Sequence, residues 1–252
     1  MSKKPLESWE YDVLGIYNPL RIGPLGYWYE FLREKLAHIE GDVLEAGVWR
    51  GRSLLTSAII LRDNYPEKKV IGFDTFSGFP LEYDERDEPF QFLKMYEDGI
   101  ISKEHHIQIQ KNLAHLRFIK GQDIHSRNIS LSEDFSGTNT EHILKKIEYL
   151  GLNNVRLVDG PFNQTMTGIH SEKLAAVLLD CDLYRSYEFA LNYVWEALSP
   201  GGIIYLDEYY SLKFPGARLA TLDFFDTRAC SFFSEIDKFN GFERWWVIKD
   251  KN

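Results

Sequence analysis

Several signatures are missing from this chain, and each absence removes a class of function. There is no G-x-G-x-x-G turn and no G-x-x-x-x-G-K-[ST] loop, so dinucleotide and triphosphate readings lose their main support. There is no G-x-S-x-G elbow, which disfavours an α/β-hydrolase. Basic residues gather only in short pairs such as Lys145-Lys146, and the net charge is −9, so a duplex nucleic-acid partner is not expected. The two cysteines, Cys181 and Cys230, are far apart and lack zinc-ligand spacing with the scattered histidines. No apolar run approaches a membrane span, and Met1-Ser2-Lys3-Lys4-Pro5 has no signal-peptide character. A cytoplasmic, reducing setting without membrane contact is therefore expected.

What is present centres on residues 42 to 53. Val43-Leu44 is a β-type run that stops at Glu45, Gly47 and Gly51 follow, and Leu54 to Leu61 reads as an apolar helix. Strand, glycine-bearing turn and helix make the opening of a nucleotide-binding α/β unit. Glycine permits positive φ and close backbone approach, and a helix N-terminus favours an anionic group.

The 252 residues are expected to form a single domain. Residues 1 to 40 read as an N-terminal helical segment ending near Gly41. Further strands are expected at Val70–Phe76, Val155–Val158, Ala175–Leu179 and Ile203–Leu206, with helices at Arg52–Asn64, Asn139–Leu150, Arg185–Leu198 and Ala217–Thr227. This alternation predicts a mostly parallel sheet. Asn240-Gly241 between aromatic-rich runs predicts a closing antiparallel hairpin. Residues 81 to 138 are too long for a plain connection and are expected to form a lid-like insertion of helices and loop, with Leu116-Arg117-Phe118-Ile119-Lys120 a possible hairpin piece.

Each apolar strand ends in acid: Glu45, Asp74, Asp159, Asp180 with Asp182, and Asp207 with Glu208. In an open parallel sheet these positions line one crevice, where carboxylates repel unless cations or ligands neutralise them. Asp74 suits both ribose hydroxyls of a nucleoside cofactor, or else caps its own turn. Asp180, Asp207 and Glu208 are too many for a sugar contact and suit Mg²⁺, unless the last two merely cap the next turn.

Four linked motifs resemble the macrocin O-methyltransferase family, which modifies sugar hydroxyls of antibiotics. They are Glu45-Ala46-Gly47-Val48-Trp49-Arg50-Gly51, Asp74-Thr75-Phe76-Ser77-Gly78-Phe79-Pro80, Asp180-Cys181-Asp182-Leu183-Tyr184-Arg185-Ser186, and Leu198-Ser199-Pro200-Gly201-Gly202 followed by Asp207-Glu208-Tyr209. The resemblance implies a class I methyltransferase fold with a mostly parallel seven-stranded sheet, and a Mg²⁺-assisted methyl transfer from S-adenosylmethionine. Carried over by position, Glu45, Gly47, Trp49, Arg50, Gly51, Ser53, Asp74, Ser77, Gly160, Phe162 and Asp180 would meet the cofactor. Asp180, Asp207 and Glu208 would hold the metal, with Asp182 the candidate base beside catalytic Asp180. Glu208, Cys181 and Arg185 depart from the family's Asp, Gly and acid. The expected acceptor is a hydroxyl of a sugar or other small polar metabolite, such as a glycoside or nucleotide sugar, and the chain is expected to be a homo-oligomer. The rival readings are a cofactor-binding assembly or regulatory domain without transfer, and a nicotinamide-dependent oxidoreductase.

Overall fold

The apolar runs pair into one sheet in a computed structural model that describes residues 5–21, 23–80, 83–168 and 172–250. Helices α1 (Ser8–Leu14) and α2 (Gly26–Glu34) precede β1 (Asp42–Ala46), α3 (Arg52–Asn64) and β2 (Val70–Asp74). Then α4 (Gln91–Glu97), α5 (Lys103–Lys120) and α6 (Thr140–Leu150) lead to β3 (Val155–Asp159), α7 (Phe162–Thr165) and β4 (Leu174–Leu179). The chain continues through α8 (Tyr184–Val194), β5 (Leu198–Leu206), α9 (Gly216–Phe225), β6 (Ser231–Ile236) and β7 (Glu243–Ile248). The sheet has seven strands in the order β3-β2-β1-β4-β5-β7-β6. Pairings among β1 to β5 are parallel, and β7 runs antiparallel to both β5 and β6. This is the class I methyltransferase architecture that the motifs imply.

Strand periodicity divides the core into two layers. Ile203 and Tyr205 face one layer, with Trp28, Leu32 and Leu54; Ile204 and Leu206 face the other, with Tyr187, Leu191 and Phe224. Because β1 is flanked by β2 on one side and β4 on the other, strand order reverses there, which opens a crevice at the carboxyl edge. Register then fixes which acids meet. Leu179 pairs with Leu206, so the residues that follow, Asp180 and Asp207, emerge side by side.

Residues 83 to 138 hold α4 and α5 and then turns and loop from Gly121 onward, and Leu81 and Glu82 lie outside the described residues. The expected hairpin piece from Leu116 is instead the end of α5, which begins at the Ser102 cap and ends at Gly121 (φ 64°). Buried Ile109, Leu113 and Leu116 recur at helical spacing, a pattern that outweighs the short β-like run. They pack with Phe92, Met95, Ile129, Leu183 and Phe214 into a third apolar cluster. Phe90 and Phe118 stay exposed, while His105 is buried and stacks on Tyr210.

Helix α8 ends at Val194 rather than Leu198, and two strand boundaries differ for physical reasons. β2 stops at Asp74, because Asp74 Oδ1 accepts the Phe76 N–H and Phe76 turns to φ 47°. β5 begins at Leu198, and its Ser199-Pro200-Gly201-Gly202 stretch sits in a register shift between Leu174↔Leu198 and Ala176↔Ile203. Helix α6 is capped as its sequence predicts: Asn139 accepts from the backbone of Glu141 and His142, and Gly151 closes it at φ 60°. No helix of the described residues is long and apolar enough to cross a membrane.

Candidate active site

The turn after β1 is tied to the end of β2 by one carboxylate. Asp74 Oδ2 accepts from the Val48 and Trp49 N–H groups, both at 2.7 Å, and Oδ1 accepts from Phe76 N at 2.7 Å. Trp49 and Phe76 both hold positive φ, 48° and 47°, so Asp74 fixes two turns in a conformation that non-glycine residues seldom adopt. This is the capping alternative, realised in full. Oδ2 accepts two of these bonds and Oδ1 one.

Gly47 is required by a different neighbour. It sits at φ 90°, and a Cβ there would lie 1.8 Å from the Asp180 carbonyl oxygen. Gly47→Ala therefore pushes β1 and β4 apart. The expected cost is upward of about 4 kcal/mol in urea unfolding, the range reserved for severe backbone clashes. A loss under about 1 kcal/mol would mean that the two chain segments are not held this closely.

Three acids meet across β4 and β5. Asp180, Asp207 and Glu208 each place an oxygen within 4.8 Å of the others. Asp207 and Glu208 open the 3₁₀ turn Asp207–Tyr210. Tyr187 Oη donates to Glu208 Oε2 at 2.8 Å, which orients that carboxyl and leaves Oε1 free of it. Burial, then the charges of Asp207 and Asp182, hold Asp180 well above the ordinary carboxylate range. Burial, then Asp182 and Asp180, do the same to Glu208. Asp182 is pushed up to about 6, by burial first, with Lys213 opposing and Asp207 adding. Carboxylates forced together in this way fit a hard divalent cation. Ligands of an octahedral Mg²⁺ stand roughly 3–4 Å apart, so the triad needs only a small contraction to enclose one. Glu208, one methylene longer than the family's aspartate, reaches the same point as its partners.

Glu45 lies beneath the turn and does not line the cleft. It is fully buried; Ser53 Oγ donates to its Oε1 at 2.7 Å, and its Oε2 has no partner among the described residues. Burial pushes its pKa up to about 8, opposed by the Ser53 bond and reinforced by Asp74. The folded pKa thus lies above the unfolded one of about 4.3, and the native state favours the protonated acid. Its contribution to stability is whole below about pH 4 and falls away up to about pH 8. Glu45→Gln should flatten that decline and stabilise the chain at pH 8 by on the order of a few kcal/mol. Parallel pH profiles of urea midpoints for the two proteins would refute the shift.

The crevice is a cavity of about 580 Å³, within the range of small-molecule sites. Of the residues that sequence singled out, Gly47, Trp49, Ser53, Asp74, Phe162, Asp180, Asp182, Asp207 and Glu208 line it. Gly51, at φ 73°, starts α3 behind the turn. Arg50 points away, donating to Gly137 O at 2.7 Å. Ser77 is exposed, and Gly160 donates its N–H to Asp74 O, so both stand beside the lining rather than in it. Asp159 is exposed at the sheet edge and, like the buried Glu45, is not part of the crevice lining that the other strand-terminal acids share. Sequence reasoning missed Tyr17, Arg52, Phe79, Phe135 and Lys213, which also line it. Phe135 stands edge-on to Trp49 at 5.7 Å and against Phe79 at 5.0 Å, making an aromatic wall on the insertion side. Arg52 lies within the recognised turn. Phe79 lies within the Asp74–Pro80 motif, and nothing local marks Tyr17, Phe135 and Lys213, which reach the crevice through tertiary packing.

Comparison with known proteins agrees with this geometry. The Macrocin-O-methyltransferase (TylF) family profile matches residues 32–122 and 120–246. The chain is 29% identical over 174 residues to 8-demethyl-8-(2,3-dimethoxy-alpha-L-rhamnosyl)-tetracenomycin-C 4'-O-methyltransferase of Streptomyces olivaceus, covering 68% of this chain and 54% of that protein. It is 26% identical over 197 residues to Mycinamicin III 3''-O-methyltransferase of Micromonospora griseorubida, covering 77% and 63%. The chain thus spans less than two thirds of the length of these relatives. Among solved structures, the O-methyltransferase NovP shares the fold at a TM-score of 0.61 and 19% identity, over 88% of this chain and 79% of that one.

Proposed function

Because the chain belongs to the macrocin O-methyltransferase family, we propose that it methylates a hydroxyl of a sugar or other small polar metabolite, using S-adenosylmethionine and Mg²⁺. The observation that carries this reading is the meeting of Asp180, Asp207 and Glu208 in the wall of a ligand-sized cleft beside the Gly47 turn. Bound there, S-adenosylmethionine would supply the methyl group, and the divalent ion a positive charge at the acceptor oxygen.

The chain's own residues do the rest. Gly47 and the Val48 and Trp49 backbone, braced by Asp74, shape the cofactor floor, and Asp74 Oδ1 has a lone pair for one ribose hydroxyl. Phe162 lines the cleft and would stand near the adenine. Asp180, Asp207 and Glu208 would hold the ion, and the Tyr187 hydroxyl, which donates to Glu208 Oε2, fixes the direction of that carboxyl. Asp182 lines the cleft and would accept the proton that leaves the acceptor hydroxyl. Residues 81–138 serve as the lid over the acceptor side; the wall of Phe135 and Phe79 against Trp49 supports that placement.

A sugar acceptor is favoured by the relatives, the first of which acts on a rhamnosyl-bearing compound by its name. Calorimetry with S-adenosylhomocysteine and with NAD separates this reading from an oxidoreductase. The proposal requires that the first binds and the second does not; the reverse result would overturn it.

A further inference from the structure

Five carboxylates line the cleft: Asp74, Asp180, Asp182, Asp207 and Glu208. Three cationic side chains share it: Arg52, Arg185 and Lys213. One of these is taken up by ion pairs and another stands at the cofactor end. Arg185 pairs with Asp84 at 3.1 Å and with Glu188 at 2.6 Å. Arg52 lies over the Tyr17 ring at 4.4 Å, beside the cofactor turn. Lys213 forms no ion pair among the described residues; its one recorded contact is the Phe214 ring, 5.7 Å away. Asp182 feels its charge, yet the two do not join in a salt bridge. An ammonium and a carboxylate that face one cleft without meeting leave a place between them for a ligand.

The loop that carries Lys213 is held from several directions. Ser211 Oγ accepts from the backbone N–H of Lys213 at 3.1 Å and of Phe214 at 3.0 Å. From α5, His105 Nε2 donates to Ser211 O at 2.8 Å, and Asn112 Nδ2 donates to Leu212 O at 2.8 Å. Phe214 is fully buried in the cluster built by the insertion. The insertion thus fixes the backbone from which this lysine reaches the cleft. Lys213 and Asp182 line the same cleft, and Asp182 is the residue assigned above to the acceptor, whereas Arg52 sits by the cofactor turn.

A neutral sugar gives such a lysine little to do. Even with a divalent ion among Asp180, Asp207 and Glu208, an acceptor bearing a negative charge would meet Asp182 and the residual negative charge of that cluster unless a cation stood where it enters. We propose that Lys213 selects acceptors that carry an anionic group, a phosphate or a carboxylate, next to the hydroxyl to be methylated. The inference rests on the methyltransferase reading above and goes further by naming the acceptor's charge.

The test uses the full chain loaded with S-adenosylhomocysteine and Mg²⁺, titrated with methyl hexosides, hexuronates and hexose 1-phosphates of the same sugar series. Anionic probes should bind about 10- to 100-fold more tightly than neutral ones, the value of one charge-assisted contact. Lys213→Met should erase that preference and Lys213→Arg should keep most of it, both with unaltered S-adenosylhomocysteine affinity. The uronate and phosphate arms show which anion is preferred. Equal binding of neutral and anionic probes, no binding of any anionic probe, or a preference that survives Lys213→Met would each overturn the proposal. Failure to bind S-adenosylhomocysteine would instead strike the methyltransferase reading itself.

Discussion

Removing divalent cations should abolish methyl transfer, and Mg²⁺ should restore it. In the same assay, Asp207→Asn should lower turnover by at least about 100-fold, because several kcal/mol of charge stabilisation at the acceptor oxygen is lost. Asp207 is the substitution of choice because it is only partly buried and makes no recorded hydrogen bond, whereas Glu208 is buried and bound to Tyr187. The variant should bind S-adenosylhomocysteine within about 2-fold of the parent, a difference of less than 1 kcal/mol. Without added metal it should be at least as stable as the parent, since one of the crowded charges is gone. That second readout separates a metal ligand from a structural cap: a cap would lose stability on substitution, whereas a relieved ligand cluster gains it. Full activity in chelator would show the acid cluster to be structural.

The next largest effect is expected at Asp182. If its carboxylate accepts the hydroxyl proton, Asp182→Asn removes the base while keeping size and polarity, and turnover should fall by about 10²- to 10⁴-fold. The loop geometry favours the assignment. Asp182 holds φ 57° and lines the cleft two residues beyond Asp180. Burial pushes it up to about 6 without the cation, so the parent's turnover should rise with pH and level off by that region. A cation held by Asp180 and Asp207 would move the rise to lower pH, because positive charge favours the ionised base. The variant should lose this limb. An unchanged pH profile with a small drop in rate would assign Asp182 to positioning rather than proton transfer.

Much of the fold was legible because two periodicities recur cleanly. Leu174 to Leu179 is apolar throughout, as a strand covered on both faces must be, and the Asn139 and Gly151 caps bound α6 where the sequence put them. The acid cluster was legible for a topological reason: parallel strands deliver their carboxyl ends to one edge, so strand-terminal acids from β4 and β5 had to meet. Asp159 shows the limit of that rule, since it ends an edge strand away from the switch point and stays exposed. Asp74 shows another, since backbone N–H groups from a turn 26 residues earlier take most of its capacity. Tyr17 and Lys213 could not be read locally. Tyr17 comes from an irregular N-terminal stretch whose backbone meets Arg52 and Thr56, and Lys213 from a loop braced by a helix about 100 residues distant. The α5 region misled because Leu116 to Lys120, taken alone, fits either period; only the longer window with Ile109 and Leu113 decides.

The central claim is that this cleft uses a divalent cation to pass a methyl group from S-adenosylmethionine to a small-molecule hydroxyl. The most direct test is incubation of the chain with methyl-labelled S-adenosylmethionine and a panel of neutral and anionic glycosides, with Mg²⁺ or with EDTA. Label should appear in a glycoside in the Mg²⁺ arm and be absent in the EDTA arm. Label transferred equally in both arms, or S-adenosylmethionine bound without transfer to any glycoside, would contradict it.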